Sequence, residues 1–572
     1  MIIAALVKRY EQQIREKKVV GLGWSMADVS FGLRLYENGE IADVIDLRAE
    51  VEVKKKKYLK AIKMAVPEQE RRSGKNYSSS FLCENANYLF GIDGNTGQFE
   101  AAKKLHLEIL KDCDSSAARA IKNFFKNWNP SEVLTHPKLQ EYLKELQKSA
   151  RLVFMFEENF ATDYDEIKVA WENYKQNQDE STRMQCSITG KILPIARIHP
   201  TIKGVRYANS SGGSIVSFNE RAFESYGHDK EQGLNAPISK YATFAYTTAL
   251  NDLLADQNHV KFFGDMTVVY WAEENNEQCQ NFLDGLLSPS KEKISSETLD
   301  AIVEGIKKQS ISFNGTELNY ENPFYILGMS PNNARLSVRL FLRNSFGETV
   351  KNITQHYEDL RIVKPVNAPD YLPLWRILWA TISSHEKEKK SSPLMTGAVI
   401  KSIMSGQNYP VSFFQNALLR IRAEHAVTYE RAAIVKAYLA RNRRRENLMS
   451  LDENATDVSY VYGRIFAVLE KVQTDANPGI NATIKDKYFT SACATPTRVF
   501  PTLLKLSVHH LRKLDTGKRI YWEKQLTSLI GKLSPSIKNL STLTQEEQGM
   551  FILGYYHQTQ EFYKKKENND NV

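Results

Sequence analysis

The sequence predicts an α+β protein: a mixed α/β amino-terminal domain with antiparallel hairpins over residues 1–365, then an all-helical bundle over 366–572. Three observations predict it. Apolar residues alternate at Val29, Phe31, Leu33 and Leu35, Asn38-Gly39 supplies a tight turn, and the chain returns through Ile41 to Leu47, which is the pattern of a hairpin. From Ala334 to Asn344 a second alternation sets Leu336, Val338, Leu340 and Leu342 against Arg335, Ser337, Arg339, Phe341 and Arg343. From Val350 to Tyr563 the apolar spacing is almost wholly helical, and Pro365, Pro369 and Pro373 mark the change of composition.

The remaining elements follow in order. MIIAALVKRYEQQIREKK has only seven apolar residues before Lys8 and no charged leader, so it reads as an amphipathic helix and not a signal peptide. A basic run, Lys54 to Lys57 with Lys60 and Lys63, follows the hairpin, and the polar loop PEQERRSGKNYSSS runs from Pro67 to Ser80. Ala101 to Leu146 is helical by its spacing. Strand-like pieces fall at Arg151 to Phe156, Ile215 to Phe218, Met266 to Trp271 and Phe324 to Leu327. In the helical half Arg441, Arg443, Arg444 and Arg445 close one long helix, and Thr544 with Glu547 ahead of Met550 forms a capping signal. The tail from Lys564 reads as frayed.

Composition bounds the function. With 42% hydrophobic residues a sizeable core is expected, and a net charge of +9 is a mild basic bias, compatible with a nucleic-acid partner. Five cysteines without a C-x-x-C pair argue for a reducing, cytoplasmic setting and against a disulfide framework or structural zinc. No run reaches the roughly 18 apolar residues of a membrane span, so no membrane partner is expected. No P-loop is present, because every Gly-Lys pair is followed by the wrong residue, and there is no H-E-x-x-H. His228-Asp229 lacks further ligands at matched spacing for a metal. Cys186 with His199 lacks an orienting third group, so Cys186 is read as a buried cysteine. Nothing marks an enzyme, and no cofactor is expected.

Three segments carry another signal. Arg335, Arg339 and Arg343 around Phe341 make a strand face with forks for phosphate and a ring for a base; the alternative is a surface whose arginines pair with acids. In the first polar loop Arg71, Arg72 and Lys75 surround Ser73-Gly74 and precede Asn76, cations for phosphate beside short groups for base edges, or simply a charged surface loop. In KGVRYANSSGGSIVSFN, Lys203 and Arg206 precede Asn209, Ser210, Ser211, Gly212 and Gly213, where small residues permit close backbone approach, or form a glycine-rich turn.

These segments, with NAPISKYATFAYTTALN, GDMTVVYWAEE, FYILGMSPNNARLSVRLF, RAAIVKAYLARN and EEQGMFILGYYHQTQEFY, resemble the large subunit of the type I-C (Dvulg subtype) CRISPR Cascade from the first helix to the last. The resemblance implies a non-catalytic subunit of a crRNA-guided complex that binds target double-stranded DNA at a protospacer-adjacent motif (PAM) and holds the displaced single strand. Implied partners are the crRNA, the backbone, crRNA-processing and small subunits, and a separate helicase-nuclease. In this reading Arg71, Arg72, Lys75 and Asn76 grip and read the PAM, and Asn209 to Gly213 form a second contact or a wedge. Arg335, Arg339 and Arg343 hold the crRNA handle or a partner subunit, and Arg441 to Arg445 track a nucleic-acid backbone. Arg72-Ser73-Gly74-Lys75 and Asn209 depart from the serine pair and glutamine of the family pattern, which bears on the PAM preferred. The rival readings are a stand-alone metal-dependent nuclease using His228-Asp229, and a pure assembly scaffold without DNA readout.

The resemblance further implies that residues 449–572 are also made separately as the small subunit, from an internal start for which Met449 is the candidate. Expressing the gene with Met449→Leu is expected to remove a short copurifying band; its persistence would reject this start.

Overall fold

The computed structural model describes residues 1–572 except 17, 54–55, 71–76, 95, 149, 178–180, 219, 224–231, 275–276, 288–295, 310, 314–315, 388–390, 534–540 and 565–572. The chain forms two compact units, one of residues 1–200 with 216–250 and the other of 201–215 with 251–572, the helix Lys240–Ala255 being divided between them. The class is α+β, with the strands in the amino-terminal part and helices throughout the carboxy-terminal part.

In the first unit the strands are β1 (Trp24–Val29), β2 (Phe31–Leu35), β3 (Ile41–Asp46), β4 (Ala49–Val53), β5 (Lys56–Lys60), β6 (Ile62–Pro67), β7 (Cys83–Asn85), β8 (Arg151–Phe156), β9 (Asn159–Phe160), β10 (Arg183–Gln185) and β11 (Ile192–Pro194). The expected hairpin is β2–β3, and the main sheet has the order β3-β2-β8-β7, with β9 beside β8. Beside the expected antiparallel hairpin one pairing is parallel: β2 runs parallel to β8, Phe31 opposite Leu152 and Leu35 opposite Phe156. Gly39 in the hairpin turn has φ +91, and a Cβ there would run into the backbone of Asn123 and Phe124. Asn123 and Asn127 of the helix Ser116–Asn127 then donate to the carbonyls of Glu37 and Asn38, at 2.9 and 3.2 Å, so the turn is pinned to the core helix. Under the sheet Phe81, Phe125 and Phe154 pack around the buried His106. The His106 ring accepts from Leu82 N through Nε2 at 3.0 Å, and burial pushes its pKa down to about 4, so it is a neutral structural group.

The second unit contains β12 (Val260–Phe263), β13 (Met266–Ala272), β14 (Ile311–Phe313), β15 (Thr316–Leu318), β16 (Pro323–Asn332) and β17 (Arg335–Ser345), and β12-β13-β16-β17 form one antiparallel sheet. On one face of it Val268, Tyr270, Phe324, Ile326 and Leu340 join the core of the helices Glu277–Leu287, Phe346–Leu360 and Pro393–Ser405. The same core continues through Phe414, Phe466 and Phe551. The composition shift at Ile362 to Pro373 therefore marks where strands stop, and the expected boundary at residue 365 is not an edge of either unit. The expected strand at Ile215 to Phe218 does not form; the chain there makes only isolated bridges, Ile202 with Gly213 and Ser214 with Arg335.

Thr544 caps the helix Gln545–Tyr563 in a complete capping box with Glu547, as its spacing predicts. That helix crosses Val458–Ala476 at two glycines: a Cβ on Gly463 would collide with the carbonyl of Phe551, and one on Gly554 with the carbonyl of Tyr460. Backbone meets backbone there, so any side chain forces the helices apart. Gly554→Ala is expected to cost about 1–3 kcal/mol by overpacking, read as a lower midpoint in urea unfolding.

Candidate nucleic-acid interface

Of the three basic segments, the arginine strand departs most from its alternation. The register between β16 and β17 shifts at Gly328/Met329: Met329 lies opposite Val338 and Gly328 opposite Leu340, which leaves Arg339 as an extra, bulged residue. An inserted residue inverts the parity of everything before it. Leu336 and Val338 therefore share a face with Phe341 and Arg343, while Arg335 and Ser337 share the helix-covered face with Leu340 and Leu342. Arg335 and Arg343 do not form the single row that the sequence predicts. Phe341 is half-buried and stacks on Tyr325 at 6.3 Å. In the neighbouring row Trp271, Tyr325 and Arg343 lie directly opposite one another, the two rings 5.2 Å apart and nearly parallel and the Arg343 guanidinium 5.9 Å from the Tyr325 ring. The ring stack is thus mostly internal, with the exposed Arg343 against its Tyr325 ring; the bulged Arg339 is exposed as well.

Residues 201–215 lie across this second face. At the β17 edge, Ser214 N donates to the Ala334 carbonyl at 3.1 Å and Leu336 N to the Ser214 carbonyl at 2.9 Å. Farther along, Arg206 N donates to Thr267 Oγ1 of β13 at 3.0 Å, and the Arg206 guanidinium sits 5.0 Å from the Tyr207 ring and 5.8 Å from the Phe262 ring. The segment is closed on itself by paired bonds between Ile202 and Gly213 and by Gly212 N to the Asn209 carbonyl, 2.8 Å. Lys203 N is tied to Asn251 Oδ1 at 2.8 Å.

The glycines have an internal purpose here. Gly212 has φ +92 and is buried against the Ile202 carbonyl, and Gly213 is buried against Leu336. What approaches them closely is the chain itself, so these two glycines serve the turn, which was the alternative reading of this segment. The exposed apex is Lys203, Arg206, Tyr207, Asn209, Ser210 and Ser211. Tyr207 is 66% exposed with φ +62, and Phe262 is 45% exposed, so two rings flank one guanidinium on the surface. Sequence reasoning missed both rings; the Arg206-Tyr207 pair was a signal for one, while Phe262 comes from a distant strand. Thr267, Met329 and Val338 are in register across three strands, so Arg206 and the bulged Arg339 lie at one level of the sheet, about 10 Å apart by strand spacing.

The basic cluster after the helix Tyr429–Arg443 divides by environment. Arg441 is buried, its guanidinium bonded to the buried Asp359 carboxylate and lying 4.2 Å from the Tyr409 ring. Its charge is used inside the fold, which corrects the expectation that it tracks a nucleic-acid backbone. Arg443 pairs with Glu546 at 2.6 Å and Arg445 lies 3.8 Å from Asp457, all four side chains open to solvent to some degree. Arg444 closes the helix at φ +53 and is exposed. Met449 is exposed as a side chain, while its carbonyl accepts from Val363 N at 2.7 Å.

Arg71, Arg72, Ser73, Gly74, Lys75 and Asn76 lie outside the described residues, as does His228-Asp229. The neck of the first loop is described: Glu70 N bonds Ser80 Oγ at 3.1 Å, and Ser80 N bonds the buried Glu84 carboxylate at 2.9 Å. Cys186 is buried and accepts from Ser239 N at 3.2 Å; burial raises its pKa, but hydrogen bonds from Ser239 and Thr189 outweigh that and bring it down to about 7. The His199 ring bonds the Tyr246 hydroxyl at 2.7 Å. Among the described residues no three His, Cys, Asp or Glu side chains gather as a metal site, and no helix is long and apolar enough to cross a membrane.

An α+β chain of this length whose sequence agrees almost end to end with one family takes its class from it: this is a CRISPR-associated protein. Residues 6–563 match the family described as CRISPR-associated protein (Cas_Csd1), and the chain belongs to that family. No curated protein matches it.

The contrast within the arginine cluster is testable. Arg441→Ala strands Asp359 as a buried charge and is expected to cost about 3–5 kcal/mol. Arg444→Ala is expected to leave stability within about 0.5 kcal/mol. Urea unfolding of the two variants separates them.

Proposed function

We propose that the chain is the non-catalytic large subunit of a type I-C, crRNA-guided DNA surveillance complex of the Cascade kind. The observation that carries the reading is the match of residues 6–563 to the Cas_Csd1 family. In this reading guide pairing identifies the target sequence, and this chain recognises the PAM in duplex DNA, promotes strand opening and R-loop formation, stabilises the displaced strand and helps recruit a helicase-nuclease, to which cutting belongs.

The residue roles follow from chemistry and exposure. Arg71, Arg72 and Lys75 supply phosphate grip in the first loop and Asn76 a side-chain amide for a base edge. Exposed Asn209, Ser210 and Ser211 offer short donors and acceptors on a segment held by backbone bonds at both ends, which favours a fixed contact or a wedge at the opening point. Lys203 and Arg206 add cations on this segment, Arg339 is an exposed cation on β17, and the rings of Tyr207 and Phe262 suit an unstacked base. Arg343 and Arg443 to Arg445 remain as handle or backbone contacts, and Arg441 does not.

The test is binding of the assembled guide complex to a matched duplex with an intact or scrambled PAM. Arg72→Ala with Asn76→Ala is expected to lose about 1–3 kcal/mol of preference at a contacted position, whereas loss of a phosphate contact alone lowers the log–log salt slope by about 0.9 without changing preference. Full retention of preference and affinity would remove the first loop from this role.

A further inference from the structure

One segment of the second unit brings charge, exposed rings and a strained backbone together. Residues 201–215 contain no acid, and Lys203 and Arg206 are exposed. Tyr207 holds φ +62, a conformation that bulky L-residues avoid and keep only where the surroundings over-determine it. Those surroundings are the Val205 carbonyl, which accepts from Ala208 N at 3.1 Å, and the Thr267 hydroxyl, which accepts from Arg206 N. Phe262 lies directly opposite Thr267 in the β12–β13 ladder, so the residue that anchors the Arg206 backbone and the ring beside its guanidinium share one face of the sheet. The guanidinium is placed by backbone and not by an acid: it meets the Tyr207 and Phe262 rings and, among the described residues, no carboxylate. A guanidinium is flat and stacks on aromatic faces. A nucleobase is flat and does the same.

We propose that Arg206 fills, in the free chain, the stacking place of one unpaired base, and that a base of the displaced DNA strand evicts it. The inference rests on the function proposed above, in which the displaced strand is the one whose bases lose their partners. Eviction frees the guanidinium to take the phosphate of the nucleotide that has entered, and the exposed Lys203 on the same segment adds a second cation. Binding then exchanges a cation–ring contact for a base–ring contact and an ion pair, so stacking and phosphate grip are linked through a single side chain. Every base has a face that stacks, so the place is indifferent to sequence. That indifference suits a strand whose sequence changes with every guide.

The experiment titrates the full chain with short DNA single strands, one bearing thymine throughout and one abasic throughout, over a range of salt. Wild type is expected to bind the thymine strand about 5- to 150-fold more tightly, the worth of one stacked base. Tyr207→Asn with Phe262→Thr should lose that preference; asparagine tolerates the backbone angle and threonine suits a strand, so the fold is kept. Arg206→Ala is the decisive variant. At low salt it should bind the thymine strand more weakly than wild type, with a log–log slope shallower by about 0.7 for the phosphate contact removed. At high salt, where that contact fades, it should bind about 2- to 5-fold more tightly, because no cation–ring contact has to be broken. Lines that cross establish eviction. Wild type tighter at every salt makes Arg206 a plain phosphate contact and overturns the proposal, as does a ring variant that keeps the thymine preference. A ring variant that binds both strands as wild type does but fails to assemble with the other subunits also overturns it, and assigns the rings to a protein surface. In the assembled guide complex, one abasic residue moved along the displaced strand should weaken wild type at a single position and the ring variant at none. No sensitive position overturns the assignment to that strand. Absence of PAM preference in the wild-type complex rejects the parent reading instead, and the crossing on short strands still reports on Arg206.

Discussion

Every residue of β13, from Met266 to Ala272, is buried, and a strand buried on both faces requires a cover on each side. The helices Glu277–Leu287, Phe346–Leu360 and Pro393–Ser405 supply one cover and share a single core with the carboxy-terminal helices. On the other side the chain sends residues 201–215 across the sheet before returning at Asn251. That requirement explains why a segment with little apolar content is held so firmly: it is tied by backbone bonds at the sheet edge and by Thr267 in the middle. A polar apex becomes rigid because its two ends have structural work to do. Rigid presentation of amides, hydroxyls and cations is what recognition of a fixed nucleic-acid shape needs.

The second organising element is polar. Asp359 accepts from Arg441, from Gln355 and from the Tyr409 hydroxyl, and His356 shares a hydrogen bond with that hydroxyl at 2.7 Å. Burial, with the Arg441 charge nearby, pushes the His356 pKa down to about 3, so the ring stays neutral while the ion pair carries the charge. The network draws the helices Phe346–Leu360 and Tyr429–Arg443 together with the turn before Val411–Glu424. It also shows why a run of arginines is a poor unit of meaning: Arg441 and Arg444 are three positions apart on a helix end, and one is buried while the other faces water.

What the sequence made legible was the part governed by local rules. The Asn38-Gly39 hairpin, the amphipathic first helix, the Thr544 capping box and the helical half all have short-range causes, and all are present. The parallel partner of β2 is separated from it by more than a hundred residues and leaves no local trace. The bulge at Arg339 has no glycine on its own strand, and its one local sign is Gly328 inside the partner strand, so alternation alone put three arginines on one face. The β4–β5 ribbon was read only as a charge run, although AEVEV alternates with the strand period. Burial of Arg441 depends on Asp359, 82 positions away. For the candidate site, the chemistry of each loop was legible from residue type, while the division into exposed apex and internal glycines required the packing of Ile202 and Leu336.

The bulge on β17 makes the strand tolerant of a change in length in a way ordinary substitutions would not reveal. Deleting the single codon for Arg339 would bring Val338 next to Leu340, opposite Met329 and Gly328, and so leave a regular ladder with every other side chain on the face it already has. Leu336 would keep its contact with Gly213, and the bridge between Ser214 and Arg335 would stand. What would go is the local bend and added twist that the extra residue gives the strand. Adding a residue elsewhere in β17, by contrast, would turn one end of it inside out.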